Sequence, residues 1–318
     1  MIDLTVVWHS LESVLTLFLI SFVGFALARA RWFSPETTIL LPRLVMVVAL
    51  PPYMLYNITH FMTREELGRL AYGVVIPFIS ILLCFGVGAL MARLFKVERK
   101  RYGIFCSGVA FSNTIFIGLP VNLALFGESA VPYVLLYYFA NTTLFWTIGN
   151  YFMARDGEGA QIRLVSRKTL KRVISPPMLG LIAGVLLLES GLTLPGFIAE
   201  AARGLGGLTT PLALMILGIT MQGVSARQLR LDREQAGILF GRLVVSPLSV
   251  VLLSRVFPLP DLMFKVFIIQ ASLPCAASLA MLASFYKSDP EFSALAVSLT
   301  TLAAILSIPL FMLLLTRF

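Results

Sequence analysis

The sequence predicts an all-α polytopic membrane protein: ten transmembrane helices forming a 5+5 inverted repeat, with two crossing broken helices at spans 4 and 9. Three observations predict it. Apolar runs of bilayer length recur along the chain with short polar gaps. Basic residues gather in alternate gaps. A shift of half the chain length aligns the two halves.

The first observation is compositional. The 318 residues are 58% hydrophobic and 13% charged, with a mean hydropathy of +0.90. Soluble domains carry about 25% charged residues, so this chain has too little polar surface for water. A hydrocarbon core of about 30 Å needs about 20 apolar residues per helix. Ten runs meet that length, at roughly 8–29, 37–59, 69–94, 102–127, 131–153, 173–190, 204–224, 235–257, 262–286 and 291–316. A β-barrel would alternate apolar and polar residues along each strand, whereas the runs here are continuous, as at 15–20. No Lys or Arg precedes Arg29, so the start lacks the basic region of a secretory signal and span 1 reads as retained. Cys84, Cys106 and Cys275 fall in apolar runs without CxxC spacing and read as small buried hydrophobes.

The second observation gives orientation. The gaps after odd-numbered spans hold eighteen Lys and Arg, including Arg93–Arg101 and Arg155–Arg172; the opposite side holds six, namely Arg64, Arg69, Arg203, Arg255, Lys265 and Arg317. The positive-inside rule then puts both termini outside and the odd gaps in the cytoplasm. The net charge of +9 is therefore a topology signal with no nucleic-acid partner implied. The chain divides into a first repeat at 1–153, a cytoplasmic loop at 154–172 read as a topogenic linker, and a second repeat at 173–318.

The third observation is the repeat. Shifted by 159 residues, Pro52 falls on Pro211, Thr142 on Thr301, and Leu123, Ala124, Phe126 and Ser129 on Leu282, Ala283, Phe285 and Ser288. Five spans per half force the second half to enter the membrane inverted, the arrangement that lets a carrier open alternately to each side.

Candidate chemistry lies where the helices are expected to break. Span 4 carries Asn113, Thr114, Gly118 and Pro120, and a break is expected near 113–118. The same window in the second half is 272–277, with Pro274 flanked by Gln270, Ser272 and Ser278. Interrupted helices at matching places point to a midplane binding site. A broken helix leaves backbone groups that must face protein, water or substrate. The N-terminal end of each following half-helix is partly positive and suits a carboxylate. Packing kinks are the structural alternative. Asn141 either lines this site or bonds across helices. Arg242, about 12 Å along span 8 from the basic gap, has three options: snorkelling, pairing with an anionic substrate, or pairing with a helix C-terminus. The double prolines Pro51–Pro52 and Pro176–Pro177 read as shaping spans 2 and 6.

No Asp or Glu lies mid-span, and His9 and His60 fall near the outer face, so no carboxylate or histidine proton relay is visible. No HExxH, GxSxG or P-loop motif appears. The expectation is therefore a protein with no catalytic residues, metal or cofactor.

At these residues the chain resembles the auxin efflux carrier family, bacterial relatives of the plant PIN proteins. The most specific elements are Ser-Asn-Thr-Ile-Phe-Ile-Gly-Leu-Pro at 112–120 and Ser-Leu-Pro-Cys-Ala-Ala at 272–277. The resemblance implies a scaffold of spans 1, 2, 6 and 7, a moving unit of spans 3–5 and 8–10, dimerisation through the scaffold, and an elevator-like motion in the plasma (inner) membrane. It implies small organic anions as substrates, such as malate, malonate or an auxin-like acid, with Asn113 as a ligand. Plant members carry an acidic and a basic residue in the third helix, whereas span 3 here has no charge in its interior before Arg93. That departure bears on proton-linked gating. Two alternatives remain: a bile-acid/sodium symporter, for which spans 4 and 9 lack acidic ligands, and an anion receptor that does not transport.

Overall fold

The computed structural model describes residues 4–157, 167–222 and 230–315. Among them every extended element is helical. Residues 158–166 of the central loop, Arg227 in the fourth basic gap, and the extreme termini lie outside the described residues.

Helix α1 is Leu4–Arg29. Helix α2 is Glu36–Phe61 and α3 is Arg64–Leu94. A broken pair follows, α4 (Arg99–Ala110) and α5 (Thr114–Phe126). Helix α6 runs Val131–Leu144 and continues through Phe145–Gly149 into Asn150–Asp156. The short α7 is Arg167–Val173 and α8 is Pro176–Ser190. Then come α9 (Gly196–Gly206), α10 (Thr209–Gln222) and α11 (Arg233–Val256). A second broken pair, α12 (Asp261–Ser272) and α13 (Ser278–Phe285), precedes α14 (Pro290–Leu315).

Local sequence explains the helix ends. Ser34 accepts a bond from the Thr37 amide at the start of α2, and Asp232 accepts one from the Gln235 amide at the start of α11. Pro176 and Pro177 occupy the first turn of α8, where a missing N–H costs nothing. Gly191, at φ 73°, ends α8.

Several prolines inside helices follow π-helical turns, whereas Pro42 and Pro309 sit in α-helix without one. Val45–Ala49 precedes Pro51–Pro52, Thr114–Gly118 precedes Pro120, and Gly241–Val245 precedes Pro247. A proline cannot donate to the carbonyl four residues back and clashes with it. A widened turn relieves the clash while the helix continues. This moves the expected break in span 4. Residues 114–118 are π-wound and continuous with 119–126, and the interruption lies at 111–113. In span 9 the interruption is 273–277, at Pro274. Span 7 also differs from the sequence boundaries. Its helix begins at Gly196 and pauses at 207–208, with the polar stretch Glu200–Arg203 on an exposed turn.

Among the described residues five helices are long and apolar enough to cross a membrane: Glu36–Phe61, Arg64–Leu94, Gly196–Gln222, Arg233–Val256 and Pro290–Leu315. Shorter apolar helices are Leu15–Arg29, Thr114–Phe126 and Pro176–Ser190. Their outward faces carry large apolar side chains such as Leu19, Phe22, Leu90, Leu186 and Leu252. That surface suits lipid and would be costly in water.

Helix α1 packs along α10, and α2 packs along α8 and α9. The first contact depends on two glycines. A Cβ on Gly24 would strike the Met215 backbone, and one on Gly218 the Ser21 carbonyl. Small residues let helix backbones approach where lipid supplies no hydrophobic drive. A second group packs α3 on α4, α11 on α12, and α11 on α3.

Candidate functional site: the crossing of two broken helices

The two interruptions meet. Ser112 and Cys275 form an antiparallel bridge. The Asn113 amide donates to the Pro274 carbonyl at 2.9 Å, and the Ala276 amide to the Phe111 carbonyl at 3.0 Å. Ser112 is served on both sides by Asn141, which accepts from its N–H at 3.0 Å and donates to its C=O at 3.1 Å. The Cys275 amide donates to Thr300 Oγ1 at 3.2 Å. Each exposed backbone group at membrane depth would cost several kcal/mol, and these bonds remove most of that cost.

Arg242 completes the crossing. Its side chain is fully buried. Nε donates to the Leu273 carbonyl at 3.0 Å, Nη1 to Val109 O at 3.0 Å and Ser246 Oγ at 3.4 Å, and Nη2 to Ser112 Oγ and Ala271 O, both at 2.6 Å. Val109 and Ala271 belong to the last turns of α4 and α12. Those C-terminal ends are the negative poles of the helix dipoles. One guanidinium therefore serves both. Among the described residues its partners are carbonyl and hydroxyl oxygens, and none is a carboxylate.

The positive poles are treated differently. Asn113 caps α5 by accepting from the Phe116 amide at 3.3 Å. This occupies Oδ1, and among the described residues its Nδ2 amide has no acceptor. α13 starts after Ala277, whose methyl group cannot cap it. The first-turn amides of both half-helices have no intrahelical acceptors. A cavity of about 270 Å³ lies here, lined by Asn113, Thr114, Asn141, Ala277 and Ser278 among others. At about 30 Å³ per water, it has room for a small organic ion. Tyr138, Trp146, Ser175, Lys171 and Arg172 complete its polar wall, and no Asp or Glu is among its described lining residues.

The residues singled out by sequence are distributed over this crossing. Asn113, Thr114, Asn141 and Ser278 line the cavity. Pro274 supplies the carbonyl that receives Asn113. Ser272 is buried and bonds its own helix at Ile269 O. Gln270 is buried behind the crossing, donating to Thr114 O at 3.4 Å, with Oε1 unpaired. A Cβ on Gly118 would meet Gln270 Oε1 and Leu273 Cδ1 at 2.5 Å, so glycine there permits the close approach. Pro120 is buried in α5. None of Gly118, Pro120, Gln270, Ser272, Pro274 or Arg242 lines the cavity; they build the crossing behind it.

Sequence reasoning passed over Tyr138, Trp146, Lys171, Arg172 and Ser175. The two cations lie in the basic stretch read as a topogenic linker. Their signal was present as charge, and only the fold shows that the end of that stretch reaches the crossing.

Two half-helix pairs crossing inside an apolar bundle, with a polar cavity at the junction, are the features of a membrane transport protein. The chain belongs to the auxin efflux carrier family: the family model described as membrane transport protein matches residues 9–312. It is 28% identical over 312 residues to a protein named uncharacterized transporter from Methanothermobacter thermautotrophicus, covering 95% of this chain and 97% of that one. It is 24% identical over 314 residues to another so named from Methanocaldococcus jannaschii, covering 94% and 97%. The protein is an integral membrane transporter.

Proposed function

We propose that the protein is a secondary carrier of small organic anions, with carboxylates binding in the cavity at the crossing. The observation that carries this reading is the separation of charge there. Arg242 neutralises the negative ends of α4 and α12. The positive ends of α5 and α13 adjoin a cavity whose described lining holds two cations and no carboxylate. Such a site favours an anion by its fixed dipoles and donors. Asn113 Nδ2, Thr114 and Ser278 are the neutral donors of the site. Arg242 is a positioning residue that holds the crossing.

The ten-span reading assigns spans to α1, α2, α3, α4–α5, α6, α8, α9–α10, α11, α12–α13 and α14. Packing supports an inverted repeat within it. α1 lies on α10 as α8 lies on α2; α3 lies on α4 as α11 lies on α12. A scaffold of spans 1, 2, 6 and 7 and a moving unit of spans 3–5 and 8–10 follow the same division. Elevator-type alternating access and a scaffold-mediated homodimer in the plasma membrane extend the reading. With both termini outside, the cavity opens to the cytoplasm.

Uptake of labelled mono- and dicarboxylates into proteoliposomes tests it. Transport of at least one, saturable and lost in Asn113→Ala, is expected. Folded protein that moves no organic anion overturns the reading.

A further inference from the structure

Arg172 is the most unusual cation in the molecule after Arg242. It is half-buried at the end of α7, and among the described residues no ion pair involves it. Its Nη1 donates to Asn150 Oδ1 at 3.1 Å and to the Tyr286 hydroxyl at 3.4 Å, both neutral acceptors. Tyr286 in turn donates to Asn150 Oδ1 at 2.7 Å, and both residues are buried. The guanidinium carbon stands 5.2 Å from the Trp146 ring and 5.9 Å from the Phe285 ring. Arg172 and Trp146 both line the cavity.

A guanidinium has five N–H donors in a rigid fork that matches a carboxylate. Here one nitrogen is committed to the protein. Among the described residues Nε and Nη2 have no acceptor. The aromatic faces and the Asn150–Tyr286 pair fix the plane of the group without neutralising it. A preorganised, partly desolvated cation beside a polar cavity is suited to a carboxylate.

We propose that Arg172, from the segment joining the two halves of the chain, is a specificity-determining ligand that holds the carboxylate of the substrate at the cavity through Nε and Nη2. The proposal rests on the anion-carrier reading and deepens it. It also makes the site composite. The donors at the crossing come from the two broken helices, and the charge comes from the linker. A substrate that leaves the cavity with the crossing must therefore let go of Arg172.

Trp146 offers a direct readout, because an anion drawn to Arg172 changes the cation–π contact on that ring. In a Trp8→Phe, Trp32→Phe background, Trp146 is the sole tryptophan. Titration with acetate and succinate is expected to change its emission saturably, while acetamide and succinamide do not. Arg172→Gln should weaken that response by about tenfold or more. In proteoliposomes it should raise KM by a similar factor with a smaller change in kcat. Arg172→Lys, a cation without the fork, should fall between.

A second measurement needs no variant. Phenylglyoxal labelling of Arg172 in the native protein, read by peptide mass, should slow when a transported carboxylate is present. Carboxylate transport with unchanged KM in Arg172→Gln, or with no protection of Arg172, overturns this proposal and leaves the carrier reading standing. Absence of any carboxylate transport or binding in folded protein overturns both.

Discussion

Replacing Arg242 with methionine keeps much of the side-chain volume and removes five hydrogen bonds. The damage is concentrated in three carbonyls. In an unbroken helix, Val109 O and Ala271 O would accept from the amides four residues on. Those amides are committed elsewhere: Asn113 to Pro274, and Cys275 to Thr300. Leu273 O lies in the interrupted stretch itself. An orphaned buried carbonyl costs about 1–3 kcal/mol. Burying the guanidinium carries its own desolvation cost, which the methionine avoids. Relaxation recovers part of the rest. The net loss is then about 3–5 kcal/mol. At roughly 2–4 °C per kcal/mol, Tm should fall by about 10 °C. The three buried cysteines supply the assay. A thiol-reactive fluorogenic dye reports their exposure on heating in detergent. Arg242→Lys keeps the charge but cannot fork, and should lie between the two. A methionine variant within 2 °C of the parent would refute the idea that one arginine holds both helix ends.

Three further outcomes are expected. Asn141→Ala removes both bonds to the Ser112 backbone; a loss of about 1–3 kcal/mol, read by the same thiol assay, should accompany weaker carboxylate binding. Gly118→Ala forces Gln270 or Leu273 to move and should cost about 1–3 kcal/mol, whereas Gly86→Ala, with open space around its new methyl, should leave Tm unchanged or slightly raised. Gly218→Leu drives a side chain into the α1 backbone at Ser21. Size-exclusion chromatography should then show loss of the monodisperse species, and a normal profile would count against close α1–α10 packing.

The position of the breaks shows how far local sequence reaches. Pro274 interrupts span 9 where expected, because proline acts on its own turn. Pro120 does not interrupt span 4. A π-turn at Thr114–Gly118 absorbs it, and the helix opens instead at 111–113. Those residues have no breaker of their own. They unwind because Pro274, Ala276 and Asn141 are placed to pair with their backbone groups. Trading helical bonds for tertiary ones is nearly neutral when every group is satisfied, and hydropathy does not register it.

By itself the sequence determined the solvent. A chain with 58% hydrophobic and 13% charged residues belongs in lipid. Local chemistry also placed Asn113, Thr114, Asn141 and Ser278 among the candidates that line the cavity. Only the tertiary structure decided what the charges do. Arg242 offered snorkelling, a substrate or a helix end, and its partners across separations of up to 133 residues select the helix ends. The stretch ending at Arg172 read as a topology signal, yet it delivers a cation to the cavity wall. The reason is physical. Hydropathy and helix breaking depend on neighbours within a turn or a bilayer thickness. The role of a buried charge depends on which oxygens the folded chain brings within about 3 Å.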